Sequence, residues 1–599
     1  MQFQKIVVIG ACIIACLSFL WLLLCKLLEE RVSNTLEPAE GYVFDYVIVG
    51  AGTAGSVVAS LLAKYSNSTV LLVEAGDKFG FLSKIPLLTT LQQKGVNDWS
   101  FLSVPQKHSS RGLKEQRQCL PRGRGLGGSS QLNYMLHFDG YPQDFYYWYK
   151  THNLSTWRWD FIKPYLDAVN PSPNEMYEIR RDYSKLTTAL HLAEEELIHK
   201  PWLFRRARYN IKKGLRYNVF QHFLKPAFKY KNLHIITNAM AKRIELKKDK
   251  KSVKSLLIGV KDEYTRKEKL FTVDIREELI LSAGAYQSPQ LLLVSGIGDY
   301  EQLEKLNIKL QKQLPKVGTN LHDHLNQPLF VSIEVIGPTL NQKALLDPYS
   351  LFNYLSSGTG HLGNFGVLAH VDDIFSVHNF GLTFFAAGAI DETALMSISN
   401  FKREHFRALF PRYHNSTQEG FVIISTCTKP KSRGSVTISN SNIRKNPLIN
   451  PNYLSKDIDV NCTIEAIRAA VEIITSEAFA NLRPRIHWPK IKNCAKYGPF
   501  ELDFVWNKPS DSYLECILRH VGLGSHHPAG TCSMGSTAMN SVVDAEFRVH
   551  GLKNLRVIDA SVIPIPLSGN PNSVVSALAV RGVTMILKMQ LNENINNNP

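Results

Sequence analysis

The segment Phe44-Asp45-Tyr46-Val47-Ile48-Val49-Gly50 runs straight into the motif Gly50-x-Gly52-x-x-Gly55, and this stretch decides the fold of the 599-residue chain. Its short run of β-branched apolar residues predicts a buried strand of a parallel sheet. The apolar spacing over residues 57–62 predicts a helix that follows the glycines. A strand, a glycine turn and a helix in this order predict an α/β fold.

A second predicted strand, Thr69 to Val73, leads to Glu74, which lies nineteen residues after Gly55. The glycines allow a tight turn and close approach of the backbone, and the helix N-terminus offers unpaired N–H groups to a pyrophosphate. Glu74 is placed to accept hydrogen bonds from a ribose. The whole unit predicts a Rossmann-like dinucleotide site, without separating FAD from NAD. Its candidate cofactor-binding residues are Gly50, Gly52, Thr53, Ala54, Gly55 and Glu74.

Two further glycine-rich segments help to decide between FAD and NAD as the dinucleotide. Residues 123–133 read Gly-Arg-Gly-Leu-Gly-Gly-Ser-Ser-Gln-Leu-Asn, which predicts a loop that lays its backbone against a large flat ligand. Residues 284–298 follow an apolar strand, and they predict a helix from Ser288 with Pro289 in its first turn. Both segments, together with residues 317–324, resemble the glucose–methanol–choline (GMC) oxidoreductases, which are FAD-dependent alcohol oxidases and dehydrogenases. The resemblance covers Tyr42 to Lys588 and is nearest to the insect-type glucose dehydrogenase branch.

The C-terminal part of the chain resembles the catalytic region of the same family. The segment His527-Pro528-Ala529-Gly530-Thr531-Cys532-Ser533-Met534-Gly535 matches the one that holds the catalytic histidine, and its register selects His527. Residues 568–572 match the closing flavin-contact region, and their register places Asn572 opposite the flavin. The resemblance implies that His527 accepts the hydroxyl proton while a hydride passes to flavin N5. Asn572 would hold the developing alkoxide.

The resemblance also implies cofactor contacts from several other parts of the chain. Some GMC enzymes attach FAD covalently through a histidine just after the glycine–serine turn. Gln131 stands there in this chain and has no ring nitrogen, so we expect non-covalent FAD. No chemistry is assigned to His526, His322 or His324, for which structural or surface roles are favoured. The further cofactor-binding candidates are Arg124, Gly127, Gly128, Ser129, Asn133, Ala241, Asp559, Ala560 and Asn570.

The motifs divide the chain into segments that alternate between a Rossmann-like FAD-binding domain and a discontinuous α+β substrate domain. Runs such as Gly420–Ser425 and Gly434–Ile438 are apolar or alternating, which predicts an antiparallel sheet in the substrate domain. The predicted segments are 1–40 (signal-anchor or signal peptide), 41–145 (FAD-binding), 146–224 (substrate or lid), 225–325 (FAD-binding), 326–514 (substrate-binding), 515–590 (FAD-binding, with the catalytic residues) and 591–599 (flexible tail).

The N-terminus carries a 20-residue stretch without a charge, Ile6 to Cys25. As a helix it would span roughly 30 Å, about the thickness of a bilayer's hydrocarbon core. An uncleaved membrane anchor is favoured over a signal peptide, and a buried core helix is a third reading. Either of the first two sends the enzyme into the secretory pathway, as a membrane-anchored lumenal or extracellular protein or as a secreted one. Four glycosylation sequons fit that route, at Asn67, Asn153, Asn415 and Asn461.

Composition and charge exclude several classes of protein. Hydrophobic residues make up 44% and charged residues 20%, which excludes intrinsic disorder. The formal net charge of +17 raises the question of an anionic partner; no nucleic-acid-binding motif accompanies it, so we expect no nucleic acid, and an anionic membrane surface stays open as a second reading. No cysteine or histidine spacing predicts a metal site. One or two disulfides are compatible with the cysteines after residue 100, and Cys462 with Cys494 is the candidate pair.

The sequence therefore predicts an enzyme: an FAD-dependent oxidoreductase that acts on the CH–OH group of an alcohol. Its partners are a small-molecule alcohol, an electron acceptor such as oxygen or a quinone, and the membrane through the N-terminal segment. Sugars, ecdysteroids, aromatic alcohols and retinoid-like polyenes all stay open as substrates, and the oligomeric state is unknown. The alternatives are a hydroxynitrile-lyase-type enzyme on the same scaffold and a non-catalytic GMC-like protein.

Overall fold

The structure of the protein is a computed structural model, and it describes residues 32, 34–170, 177–178, 184–261, 267–335, 339–341, 347–375, 379–388, 392–411, 417–498 and 509–589. The apolar segment Ile6 to Cys25, the sequon at Asn415 and the tail 591–599 lie outside these residues. No helix in the described part of the chain is long and apolar enough to cross a bilayer. The described sequon residues Asn67, Asn153 and Asn461 are exposed.

The first of two large sheets is a seven-stranded mixed sheet that begins with the predicted N-terminal strand. That strand, Tyr42–Val49, pairs in parallel with Val70–Val73 on one side and Glu268–Leu281 on the other. The predicted parallel strand is thus confirmed, since it is buried between two neighbours. In spatial order the sheet contains Leu233–Ile236, Val70–Val73, Tyr42–Val49, Glu268–Leu281, Val253–Lys261 and Ala239–Leu246, and Leu555–Val557 pairs with Glu268–Leu281.

The second large sheet is antiparallel, as predicted for the substrate region. Its strands in spatial order are Arg485–His487, Leu325–Ser332, Gly420–Cys427, Phe380–Phe385, Val367–Asp373 and Leu203–Arg206, and Leu523–Gly524 pairs with Leu325–Ser332. The prediction at Gly434–Ile438 yields a short strand, Ser435–Thr437, but it pairs with Leu448–Asn450 in a separate sheet. Each large sheet has its own hydrophobic core.

Helices cover the sheets, and two helices from opposite ends of the sequence pack against each other. Thr53–Tyr65, the helix predicted after the glycine motif, packs against the C-terminal helix Asn572–Leu587. This contact joins residues more than five hundred positions apart in one layer. The other helices of eight or more residues are Pro142–His152, Trp159–Val169, Ser184–Glu196, Gly284–Val294, Pro348–Ser357, Glu392–Ser399, Asp457–Ile474 and Asp511–Val521.

The helix predicted from Ser288 begins earlier, at Gly284, so Pro289 lies in its second turn and not in its first. A proline there cannot donate to the carbonyl four residues back, which belongs to Ala285. The structure supplies a substitute, because the Thr531 hydroxyl donates to that carbonyl oxygen over 2.6 Å. A side chain from the distant segment 527–535 therefore compensates for the hydrogen bond that Pro289 cannot make, and this contact could not be seen in the local sequence.

The predicted disulfide between Cys462 and Cys494 is wrong. Cys427 pairs with Cys462, and Cys494 pairs with Cys516. Cys427 ends the strand Gly420–Cys427, on which the helix carrying Cys462 packs. The pairing thus follows from helix–sheet packing, which cysteine spacing does not reveal.

Replacing Cys427 and Cys462 together by serine is expected to lower the free energy of unfolding by about 3–4 kcal/mol, because the bond closes a loop of 35 residues. Thermal melting of the double variant against the parent measures the loss. Peptide mapping without reductant tests the pairing itself. A cross-linked peptide containing Cys462 and Cys494 would contradict the structure.

Candidate active site

A cavity of about 720 Å³ lies between the two large sheets. On one side it is lined by residues at the carboxyl ends of the parallel strands, among them Val49, Val73 and Ser282. On the other side it is lined by one face of the antiparallel sheet. Crevices at the carboxyl ends of parallel strands are where α/β folds bind their ligands. The cavity is therefore the candidate active site.

The glycine turns approach each other so closely that side chains would not fit between them. A Cβ on Gly128 would lie 2.6 Å from the Cα of Gly52, and Gly128 has a φ of +52°. A Cβ on Gly55 would lie 1.8 Å from the carbonyl oxygen of Gly50. The helix that starts at Thr53 has no side-chain cap at Gly52, so its first N–H groups stay available for a ligand.

Glu74 is buried at the end of its strand and is held by the backbone of two turns. Its Oε2 accepts from the N–H of Ala51 over 2.8 Å, and its Oε1 accepts from the N–H of Gly76 over 2.9 Å. Burial raises the pKa of this carboxyl, and the backbone N–H groups oppose that shift. The N–H of Gly125 also acts on this carboxylate, and three donors still leave a lone pair with which Glu74 can accept from a ribose hydroxyl.

Most of the residues predicted from sequence meet in this cavity. Three of the candidates do not line the cavity. Gly55 and Gly127 lie in the glycine-rich segments next to residues that do, and the guanidinium of Arg124 lies over the ring of Trp99. A neighbouring arginine, Arg122, lines the cavity instead. The predicted residues that do line it are Gly50, Gly52, Thr53, Ala54, Glu74, Gly128, Ser129, Asn133, Ala241, His527, Asp559, Ala560, Asn570 and Asn572.

Both carboxylate oxygens of Asp559, which lines the cavity, accept hydrogen bonds from other protein groups. Oδ2 accepts from the N–H of Gly284 and from the hydroxyl of Ser288, while Oδ1 accepts from the N–H of Ser561. Its side chain therefore joins the start of the helix at Gly284 to the C-terminal segment. Because these donors engage the carboxylate, we expect Asp559 to contact a cofactor through its backbone and not through its side chain.

Asn572 begins the C-terminal helix and has its amide orientation fixed by the first glycine turn. The hydroxyl of Thr53 donates to Oδ1 of Asn572 over 2.9 Å. Because Oδ1 is taken, Nδ2 is the amide atom that can donate to a molecule in the cavity. Thr53 thus orients the amide of Asn572 through a hydrogen bond between two distant segments, which the sequence did not suggest.

His527 lines the cavity, and it is held at both its backbone and its ring. Its N–H donates to Oδ1 of Asp323 over 2.7 Å, and its Nδ1 lies 3.0 Å from Nδ1 of His324. Burial, followed by the neighbouring His324, His526 and Arg122, lowers the pKa of His527 well below its usual value. The imidazole is therefore neutral at neutral pH and can accept a proton.

Sequence reasoning missed Asp323 and His324 as members of this site. His322 and His324 are both buried, which excludes surface roles, and His324 contacts the ring of His527 directly. Asp323 accepts from the backbone N–H of both His324 and His527, and from the hydroxyl of Tyr453. Burial raises the pKa of Asp323 to about 6. Their presence in the family-like segment 317–324 was the available signal.

Arg216 was also missed as a residue that supports the site. Its guanidinium is buried and donates to the carbonyl oxygens of Ser83 and Ser130 and to Oδ1 of Asn133. Burial lowers its pKa to about 9. The side chain ties the loop over residues 127–133 to a separate segment of the chain, so it supports the cradle from behind.

Comparisons with known proteins identify the family. Two family models described as GMC oxidoreductase match residues 44–326 and 430–579. The chain belongs to the GMC oxidoreductase family. The resemblance noted in the sequence is thereby confirmed.

Several curated relatives match this GMC oxidoreductase over most of its length. "Neither inactivation nor afterpotential protein G" of Drosophila melanogaster is 57% identical over 595 residues, which is 99% of each chain. The glucose dehydrogenase (FAD, quinone) of Drosophila melanogaster is 28% identical, covering 93% of this chain and 88% of its own. Ecdysone oxidase of Bombyx mori is 28% identical, covering 90% and 81%.

Solved structures confirm the fold of the GMC oxidoreductase. Formate oxidase of Aspergillus oryzae superimposes with a TM-score of 0.75 at 23% identity, covering 92% of this chain and 99% of that one. Pyridoxine 4-oxidase of Mesorbium loti gives a TM-score of 0.72 at 24% identity, covering 92% and 100%. At these identities the likeness establishes the α/β architecture with its parallel and antiparallel sheets.

FAD is the cofactor of GMC oxidoreductases, and the residues present here fit it. The glycine turns leave backbone exposed where side chains would collide, and a buried acid stands at the end of the second strand. Gln131 does not line the cavity; its side chain accepts from Asn218 over 2.8 Å, and Leu132 lines the wall instead.

The half of the GMC cavity that lies on the antiparallel sheet is mostly apolar. The strand register places alternate residues of four strands on this one face. Apolar side chains make up the larger part of this lining, and the polar side chains on the same sheet face are Asn326, His370, Asp372, Thr383 and Thr426. Prominent apolar residues of this half are Leu340, Phe365, Leu382, Phe385, Val422 and Ile424.

Proposed function

We propose that the protein is an FAD-dependent oxidoreductase that oxidises the CH–OH group of an alcohol. The observation that carries the proposal is a neutral, half-buried histidine, His527, on the wall of a cavity that is continuous with the glycine cradle. An alcohol in this cavity would lie between a proton acceptor and the cofactor. The family membership supports the reaction class, and the named activities of the insect relatives concern sugar and steroid donors.

The residues divide the work of binding and of proton transfer. The N–H groups at the start of Thr53–Tyr65 would hold the pyrophosphate of FAD, and Glu74 would accept a hydrogen bond from its ribose. FAD, bound without a covalent link, supplies the hydride acceptor. His527 takes the hydroxyl proton, and Nδ2 of Asn572 donates to the same oxygen as its negative charge develops.

The substrate half of the cavity favours an alcohol with an apolar body. A sugar carries a hydroxyl on most of its carbons, and the polar side chains of this half are too few to replace the water of all of them, because Leu, Val and Phe side chains make up the larger part of the wall. An apolar alcohol gains free energy by leaving water for the same wall. We therefore propose a hydrophobic alcohol as the donor, with oxygen or a quinone-like molecule as the acceptor.

The test is anaerobic mixing of the purified holoprotein with a panel of alcohols, followed at the flavin absorbance band. Apolar primary and secondary alcohols are expected to bleach the flavin, and glucose is expected to leave it oxidised. The corresponding alkanes serve as controls for binding without chemistry. If no alcohol reduces the flavin, and a cyanohydrin releases cyanide without bleaching, the protein is a lyase and the oxidoreductase proposal is wrong.

We also propose the domain division and the location predicted from sequence. Residues 41–145, 225–325 and 515–590 supply the strands of the mixed sheet, which supports a discontinuous FAD-binding domain. The strand Leu523–Gly524 is an exception, since it pairs with the antiparallel sheet. Two disulfides support a secretory, oxidising location. Membrane anchoring through Ile6 to Cys25 stays a prediction.

A further inference from the structure

His324 is held between the catalytic histidine and a backbone carbonyl. Its Nδ1 lies 3.0 Å from Nδ1 of His527, with the two rings inclined at 82°. Its Nε2 lies 3.0 Å from the carbonyl oxygen of Thr428. A carbonyl oxygen can only accept a hydrogen bond, so Nε2 of His324 carries a hydrogen.

His324 has only that one ring hydrogen at neutral pH. The side chain is buried, and burial lowers its pKa to about 4, with Lys429 acting in the same direction. A neutral imidazole protonated at Nε2 presents a lone pair at Nδ1. The hydrogen between the two rings must then belong to His527, whose Nδ1 donates to His324.

We propose that His324 is a positioning residue that sets the tautomer of His527, with hydrogen on Nδ1 and the lone pair on Nε2. The inference rests on the proposed function, because it explains how His527 can act as a base. The opposite tautomer would present an N–H to the substrate and could not accept its proton. In the described structure Nε2 has no protein partner, so it is free to receive the hydroxyl proton, while Nδ1 keeps its own hydrogen.

The carboxylate beside the pair does not perform this task. Asp323 accepts from the backbone N–H groups of His324 and His527 and from Tyr453, so it fixes the backbone and makes no hydrogen bond to either ring. Thr428 directly follows the strand Gly420–Cys427, and its N–H and hydroxyl both donate to the carbonyl oxygen of Asn379, so the sheet determines where the carbonyl of Thr428 points. The tautomer of His527 is thus set by the antiparallel sheet through His324.

Two nearly isosteric substitutions separate hydrogen bonding from packing. In H324N, Oδ1 stands close to the former position of Nδ1 and can still accept from His527, whereas H324L has the same shape and no acceptor. The rate constant of anaerobic flavin reduction is expected to fall by about a hundredfold or more in H324L. It is expected to stay within about tenfold of the parent in H324N. Equal losses in both variants would overturn the proposal.

A second readout does not depend on activity. Histidine labelled with ¹⁵N in the holoprotein reports which ring nitrogen of His527 is protonated, and H527N identifies its signals. The parent and H324N are expected to show a protonated Nδ1 and an unprotonated Nε2, and H324L is expected to lose this preference. An Nε2-protonated His527 in the parent would refute the inference even if the enzyme oxidises alcohols. If no alcohol is oxidised, the tautomer result still stands or falls by itself.

The same pair of substitutions at His322 provides the matched control. His322 is also buried, but its Nδ1 lies against the carbonyl oxygen of Asn320 and it does not contact His527. H322N and H322L are expected to leave the ¹⁵N signals of His527 unchanged and to differ little from each other in flavin reduction. A change in the tautomer of His527 in either variant would show that general repacking, and not the hydrogen bond from His324, controls it.

Discussion

Replacing His527 with Asn is expected to slow anaerobic flavin reduction by the alcohol substrate by about a hundredfold to ten-thousandfold, which is the range that a general base contributes. The amide of Asn has no basic nitrogen, so the hydroxyl proton has no acceptor at this position. Flavin content should remain that of the parent, because the contacts of the cradle are made by other residues. Stopped-flow measurement of the reductive half-reaction gives the rate constant directly.

The control for this prediction is His526→Asn, one position away in the same turn. His526 also lines the cavity, but its ring makes no hydrogen bond to His324, so we expect less than about a tenfold loss. Because burial lowers the pKa of His527, reduction by the parent should be independent of pH from neutrality upward and decline only in acid. Unchanged reduction in His527→Asn would refute its role as the base.

Gly55→Ala is expected to remove most of the bound FAD and to destabilise the protein by about 3 kcal/mol. The new Cβ would lie 1.8 Å from the carbonyl oxygen of Gly50, a backbone atom that cannot move without opening the turn. Gly55 does not line the cavity, so the loss of FAD would come from distortion of the turn and not from a blocked site. Flavin absorbance per protein and thermal melting measure the two effects.

Gly80→Ala provides the comparison for Gly55→Ala. No other atom lies within 4 Å of a Cβ built at Gly80, and its φ of −70° suits any residue. The same added methyl group is therefore expected to keep FAD and to leave stability equal or slightly higher. If Gly55→Ala bound FAD as well as Gly80→Ala, the close packing of the glycine turns would not be required for the cofactor.

Local sequence patterns were enough to predict those helices and strands that depend only on residues close together in the chain. The strand Tyr42–Val49 and the helix Thr53–Tyr65 were predictable because apolar periodicity and glycine turns act over a few residues. The helix start at Gly284 was not, since it depends on Thr531 replacing the hydrogen bond that Pro289 cannot make. The disulfide partners Cys427 and Cys462 likewise depend on which helix packs on which strand.

In the candidate site, too, some residues were predictable from short motifs and others depend on tertiary packing. Resemblance to the family pointed to His527 and Asn572, because short motifs surround both residues. The same motifs gave no reason to assign His324 a contact with His527, or Thr53 a contact with Asn572. Arg216 has acceptors in two separate parts of the chain, at Ser83 and in the loop that carries Ser130 and Asn133. Contacts of this kind exist only once distant segments have packed.

By itself, the sequence determined the family, and it predicted the nucleotide cradle and His527 as the base. These depend on residue types at short spacing, where glycine, histidine and an acid have few substitutes. Only the tertiary structure decided which nitrogen of His527 is free, which amide atom of Asn572 can donate, and how apolar the substrate half of the cavity is. The physical reason is that hydrogen-bond roles and desolvation are set by neighbours in space, and here those neighbours come from strands and turns hundreds of residues apart.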